Sequence, residues 1–179
     1  AAHSFWPGSA LWSGSGGGDV HSAEVKADFE EYVAARMPAL LRTAYLLTGN
    51  QSDAEDLVQT ALMHAVPTWH ALTTSPDAYV KRAMVNANIS RWPRVRGREV
   101  LHADPDTGLV VQATDVAASV DVVRALQQLS PRQRAVVVLR YYEDYSEQQI
   151  ADTLRISAGT VKSTAHDALK RLQGLLGDL

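Results

Sequence analysis

The chain has 179 residues, enough for one domain or two small ones, carries a net charge of −3 and contains no cysteine. The missing thiols exclude disulfide frameworks, thiolate metal sites and cysteine nucleophiles. No apolar run approaches the roughly 20 residues that span a bilayer, and no basic start with an apolar core marks a secretory signal, so a cytoplasmic protein without membrane insertion is expected.

Residues 1–18 are rich in Gly and Ser around Phe5, Trp6 and Trp12. They read as a flexible tail, or as a segment whose tryptophans dock on a partner. From about Ala23, Phe29, Tyr32, Val33, Met37, Leu40, Leu41, Ala44, Tyr45 and Leu47 recur at three- and four-residue steps, which gives a helix one apolar face. Pro38 predicts a kink, or a second helix with proline in its first turn. Thr48, Gly49 and Asn50 are a stop and turn, and Ser52 followed by Glu55 predicts a capping box opening a helix that ends before Pro67. Residues 67–75, with Trp69 and His70, read as a loop. Ser75 and Pro76 restart a helix that should stop before Pro93, with Lys81, Arg82, Asn86, Asn88 and Arg91 on its polar side.

Charge is sorted along the chain. Acids prevail over residues 19–56, bases over 77–99, and Asp104, Asp106, Asp115 and Asp121 stand in a stretch with no base. A basic stripe between acidic segments suggests a DNA contact plus a separate protein contact. Residues 99–117 have no helical period and read as a linker.

A second helical unit begins near Ala118. Ser130 and Pro131 are a cap and first turn, and Val136 to Leu139, though strand-like in composition, sit in a helical context. Two helices joined by a short turn follow. The first buries Ile150, Ala151 and Leu154. The second opens at Ser157, turns Val161, Ala165, Ala168, Leu169 and Leu172 inward, and presents Thr160, Lys162, Ser163, His166 and Lys170 outward. That is the layout of a helix-turn-helix, whose second helix reads bases in a DNA major groove. Arg155 occupies the turn position where glycine is usual, so a positive φ there would cost roughly 1 kcal/mol.

Leu46-Leu-Thr-Gly-Asn-Gln-Ser-Asp-Ala-Glu-Asp-Leu-Val-Gln59 resembles the polymerase-binding segment of extracytoplasmic-function sigma factors of the sigma-70 family. Pro131-Arg-Gln-Arg-Ala-Val-Val-Val-Leu-Arg-Tyr-Tyr142 followed by Ser157-Ala-Gly-Thr-Val-Lys-Ser163 is similar to their promoter-reading domain, most closely in the actinobacterial branch. The resemblance implies an all-α protein of two small helical domains joined by a flexible acidic linker: a tail over residues 1–22, region 2 over 23–98, the linker over 99–117 and region 4 over 118–179. It implies core RNA polymerase and promoter DNA as partners, an anti-sigma factor as a third candidate, no cofactor and no metal. For polymerase binding it points to Asp53, Glu55, Asp56, Gln59 and Leu62, although acids also favour the positive end of any helix. For the −10 element it points to Trp69, His70, Tyr79, Lys81, Arg82, Asn86, Asn88 and Arg91, since a flipped base needs stacking surfaces and cations. Trp69 reads equally well as a core residue. For the −35 element it points to Thr160, Lys162, Ser163 and His166 at base edges and to Arg155, Ser157, Lys170 and Arg171 at phosphates.

Two rival readings make different demands. An enzyme would need a site such as Asp53, Glu55, Asp56 and His64 around a metal, but these residues do not share one helix face. A helix-turn-helix regulator acting without polymerase would leave the acidic N-terminal half without a task.

Overall fold

The computed structural model describes residues 19–72, 75–95 and 116–177, with side chains over 23–72, 75–90 and 120–177. The expectations for Arg91, for the basic run after it, for the acidic linker and for the tail's tryptophans lie outside the described side chains.

Helix α1 spans Asp19–Thr48, and its buried Phe29, Val33, Leu40, Ala44 and Leu47 form the stripe expected from the periodicity. Pro38 lies inside this single helix. A proline there removes one backbone bond at a cost of about 3 kcal/mol, and burial of the stripe on both sides of it offsets that loss. The helix stops at Gly49, whose φ of +83° only glycine adopts without strain. Its amide closes the last turn on the Tyr45 carbonyl at 2.8 Å.

Helix α2, Gln51–Ala65, is capped by Asn50 and not by Ser52: the Asn50 side chain accepts from the Asp53 amide at 2.8 Å. Asparagine and serine cap about equally well, and the turn made by Gly49 brings Asn50 into position first. At the start of the expected loop of residues 67–75, a 3-10 segment (Val66–Ala71) forms around Pro67. Helix α3 spans Pro76–Val95, with Ser75 as its starting hydroxyl, 3.4 Å from the Ala78 amide; it runs through Pro93 instead of stopping before it.

Helix α4 spans Val116–Gln127 and α5 spans Pro131–Val137, the latter opened by a full Ser130–Gln133 capping box. A π turn, Val138–Tyr142, continues α5, so the strand-like valine run is helical. Helices α6 (Glu147–Leu154) and α7 (Ala158–Gly177) complete the chain. Among the described residues there is no strand, and no helix is long and apolar enough to cross a membrane.

The two halves touch. Helix α1 packs on α4 and α5, α3 packs on α5 and α6, and one apolar core runs from Phe29 and Leu57 through Leu126 and Leu139 to Ile150 and Val161. At the contact Arg134, only 4% exposed, spreads its guanidinium over four carbonyls. They are Leu126 at 2.9 Å, Gln127 and Leu129 at 3.2 Å, and Leu47, across the contact, at 2.5 Å. Burial draws its pKa down to about 10, still well above neutrality, so the group stays charged. The Leu47 carbonyl belongs to the last turn of α1, where free carbonyls and the negative end of the helix dipole accept a cation.

Candidate nucleic-acid interface

The helix-turn-helix is built as its residues suggest. Ser146 and Gln149 cap α6 reciprocally, which fixes where Ile150, Ala151 and Leu154 enter the core. Arg155 adopts φ 53°, ψ 50°, so the chain turns through a left-handed residue without glycine, and its side chain is exposed. Ser157 then receives the Thr160 amide on its hydroxyl at 3.1 Å. Val161 and Ala168 face inward from α7, while Thr160, Lys162, Ser163, His166 and Lys170 are all exposed. The hydroxyls of Ser157 and Thr160 meet at 2.8 Å, and Ser163 donates to the Thr160 carbonyl at 3.1 Å. These three side chains are therefore preset along one edge of the helix, and Lys162, His166 and Lys170 supply the long polar reach.

The −10 candidates divide. His70 and Asn86 are exposed and Arg82 is half-buried. Trp69 is 4% exposed, edge-on to Phe29 at 4.8 Å and tilted against Tyr32 at 4.9 Å, with its indole N–H donating to Asp28 at 2.8 Å. It closes the core of the first half and offers no face for a base to stack on. Tyr79 donates to the His64 carbonyl at 3.4 Å, and Asn88 reaches the Leu47 carbonyl at 3.5 Å.

Lys81 is 7% exposed. Its ammonium lies 2.8 Å from Asp77 and 2.5 Å from Glu143, so it does not project to solvent from the polar side of α3. Burial opposes its charge, but the hydrogen bonds it donates to both carboxylates outweigh that and raise its pKa. Asp77 is likewise opposed by burial and held below its ordinary range by hydrogen bonds from Arg36 and Lys81. Glu143 and Thr43, which hydrogen-bonds the same carboxylate, were not singled out by any motif. Sequence separations of 62 and 100 residues leave no local signal for such a cluster.

Of the polymerase-binding candidates, Asp56 is exposed and Asp53, Glu55 and Gln59 are half-buried on α2. Asp53 takes a bond from the Asn50 side chain at 2.7 Å, and Glu55 one from Gln51 at 2.6 Å. Leu62 is fully buried. Its contribution is to pack α2 against its own domain, since the apolar stripe of that helix includes it. The exposed apolar residue of this turn is its neighbour Met63. Among the described residues no group of three His, Asp or Glu side chains stands where it could hold a metal ion.

A shallow apolar groove, also unmarked by any motif, is lined by Leu46 of α1 together with Val122, Leu126, Tyr141, Leu172 and Leu176.

Comparison with known proteins finds two family matches along the chain. Residues 32–98 match the family model for sigma-70 region 2, and residues 119–172 match that for sigma-70 region 4. The chain is 41% identical over 152 residues to an RNA polymerase sigma-E factor of Streptomyces coelicolor, covering 82% of this chain and 84% of that one. It is 35% identical over 176 residues to the ECF RNA polymerase sigma factor SigL of Mycobacterium tuberculosis, covering 92% and 96%. Among solved structures, it is similar to the sigma factor RpoE from Bartonella quintana, crystallised with the anti-sigma factor NepR. The TM-score is 0.64 at 28% identity, over 84% of this chain and 97% of that one. With a region 2 fold, a region 4 helix-turn-helix and relatives of this identity along most of its length, the chain belongs to the extracytoplasmic-function RNA polymerase sigma factors of the sigma-70 family.

Proposed function

We propose that residues 23–98 of this sigma factor grip core RNA polymerase and the −10 element, and that residues 118–179 place the enzyme on the −35 element. The observation that carries the second assignment is the exposed row of Thr160, Lys162, Ser163, His166 and Lys170 on α7. A helix held by Val161 and Ala168 from behind can enter a major groove with that row leading. The exposed Arg155 at the turn, with Ser157, Lys170 and Arg171, contacts flanking phosphates.

On the first domain, Asp53, Glu55, Asp56 and Gln59 form the polymerase-facing side of α2. His70, Arg82 and Asn86 are the −10 contacts already turned outward, and Arg91 continues that face of α3 by sequence. Lys81 joins them only after the two halves separate, whereas Asn88 is held by the Leu47 carbonyl of its own half. The protein acts in the cytoplasm, carries out no catalytic step of its own, and takes an anti-sigma factor as regulator; the Bartonella relative was crystallised in complex with one.

Run-off transcription from a genomic fragment library, with purified core polymerase and this chain, tests the assignment. Defined transcripts that depend on the chain are expected. Initiation identical with and without it would overturn the reading.

A further inference from the structure

The contact between the halves has an unusual distribution of partners. Arg134 bonds one carbonyl across it, that of Leu47, and three in its own half. Lys81 has Glu143 across it and Asp77 on its own helix. The Thr43 hydroxyl donates across it to Glu143 and has the Ala39 carbonyl in its own helix at 3.2 Å. A hydroxyl has one proton to donate, so these two acceptors are alternatives. Each of these donors therefore keeps a partner when the halves part. Glu143 does not: both of its carboxylate oxygens are held by the other half, one by Thr43 and one by Lys81.

A carboxylate gripped by an ammonium and a hydroxyl has the chemistry of a bound phosphate, an anion with oxygens to accept both donors. Lys81 and Thr43 sit on α3 and α1, and α3 is the helix read here as facing DNA, so this step rests on the proposed function. We propose that Thr43 and Lys81 form a cradle for a backbone phosphate of promoter DNA, and that Glu143 fills it in the closed molecule as an internal mimic. In that state the sigma factor masks part of its own DNA surface. The site opens when the halves separate, and the partners that remain to Arg134, Lys81 and Thr43 make the separation reversible.

The test needs no promoter sequence, because phosphate contacts are independent of base identity. The chain has no cysteine, so fluorophores can be placed through Glu30→Cys and Gln173→Cys, both at exposed positions in different halves. Glu143→Gln keeps the shape and removes the charge; Glu143→Lys sets two cations against each other. Circular dichroism first establishes that each variant is folded. Energy transfer should then fall, most in Glu143→Lys.

Glu143→Gln should also bind random-sequence duplex DNA more tightly. Its log–log salt slope should be steeper by about 0.9 for one added phosphate contact. Adding Lys81→Ala should abolish that gain, and an equal concentration of inorganic phosphate should neither lower energy transfer nor compete. Unchanged energy transfer in folded variants would overturn the proposal. So would opening without a steeper slope, or a gain that survives Lys81→Ala, or equal capture of inorganic phosphate. Failure of the wild-type chain in run-off transcription would instead count against the sigma-factor assignments, leaving the energy-transfer result intact.

Discussion

Gly49 concentrates two constraints in one residue. Its positive φ ends α1, and a Cβ placed there would come 2.6 Å from the Gln127 side chain, which donates to the Leu46 carbonyl at 3.2 Å. The second constraint is the softer one, since Gln127 is a flexible side chain that can swing away, though it loses its bond to Leu46 in doing so. Gly49→Ala should therefore cost about 1–2 kcal/mol, mostly from the left-handed backbone, and a urea midpoint measurement would register it. An unchanged midpoint would mean that the turn rearranges. Lys81 teaches a related lesson. Its place on the polar side of α3 was readable from spacing, but spacing carries no information about Glu143, which reaches it from 62 residues away. Trp69 was open to either reading until its hydrogen bond to Asp28 and its contacts with Phe29 and Tyr32 placed it in the core.

At the scale of elements, capping chemistry was legible except at α2, where Asn50 and not Ser52 is the cap. Ser75, Ser130 and Ser157 each open the helix expected of them, because a hydroxyl that satisfies free amides acts over three residues and needs no tertiary context. Proline was less informative. Pro38 and Pro93 lie within α1 and α3, and in α1 burial of the apolar stripe on both sides of Pro38 offsets the lost bond. The two helices of the helix-turn-helix were legible residue by residue, but whether Arg155 takes a positive φ was not, and the structure shows that it does.

That turn invites a test with two opposite readouts. Arg155→Gly should raise stability by roughly 1 kcal/mol by relieving the left-handed strain, yet weaken promoter binding by removing a phosphate contact. A variant more stable and equally tight on DNA would take Arg155 off the interface.

The Arg36–Asp77–Lys81 group gives a pH prediction. The Asp77 carboxyl is depressed, so its contribution to stability is present above its unfolded value near ~4 and is lost as pH falls through the folded value. Lys81 is raised, so its contribution holds below about pH 10 and disappears above it. The destabilisation of Asp77→Asn relative to the wild type should accordingly be constant from about pH 5 to 9 and shrink below about pH 4. A difference that varies across the neutral range would contradict this arrangement.

For the molecule as a whole, the all-helical architecture and the order of its two parts were legible because amphipathic stripes and caps are local. The contact between the parts was not, because it depends on Arg134, Glu143 and Thr43 meeting across long separations. The polymerase-facing role proposed for α2 can be tested on its own. Charge reversal through Asp56→Lys and Gln59→Lys should abolish co-elution with core polymerase in a protein that circular dichroism shows to be folded. Normal co-elution would remove α2 from that interface.

One consequence of the Glu143 carboxylate being held by the opposite half concerns concentration. If polymerase engages only the parted form, its measured dissociation constant equals the intrinsic one divided by the parted fraction of molecules. Loosening that one carboxylate would then recruit the transcription machinery at lower dose, without altering any residue that machinery touches.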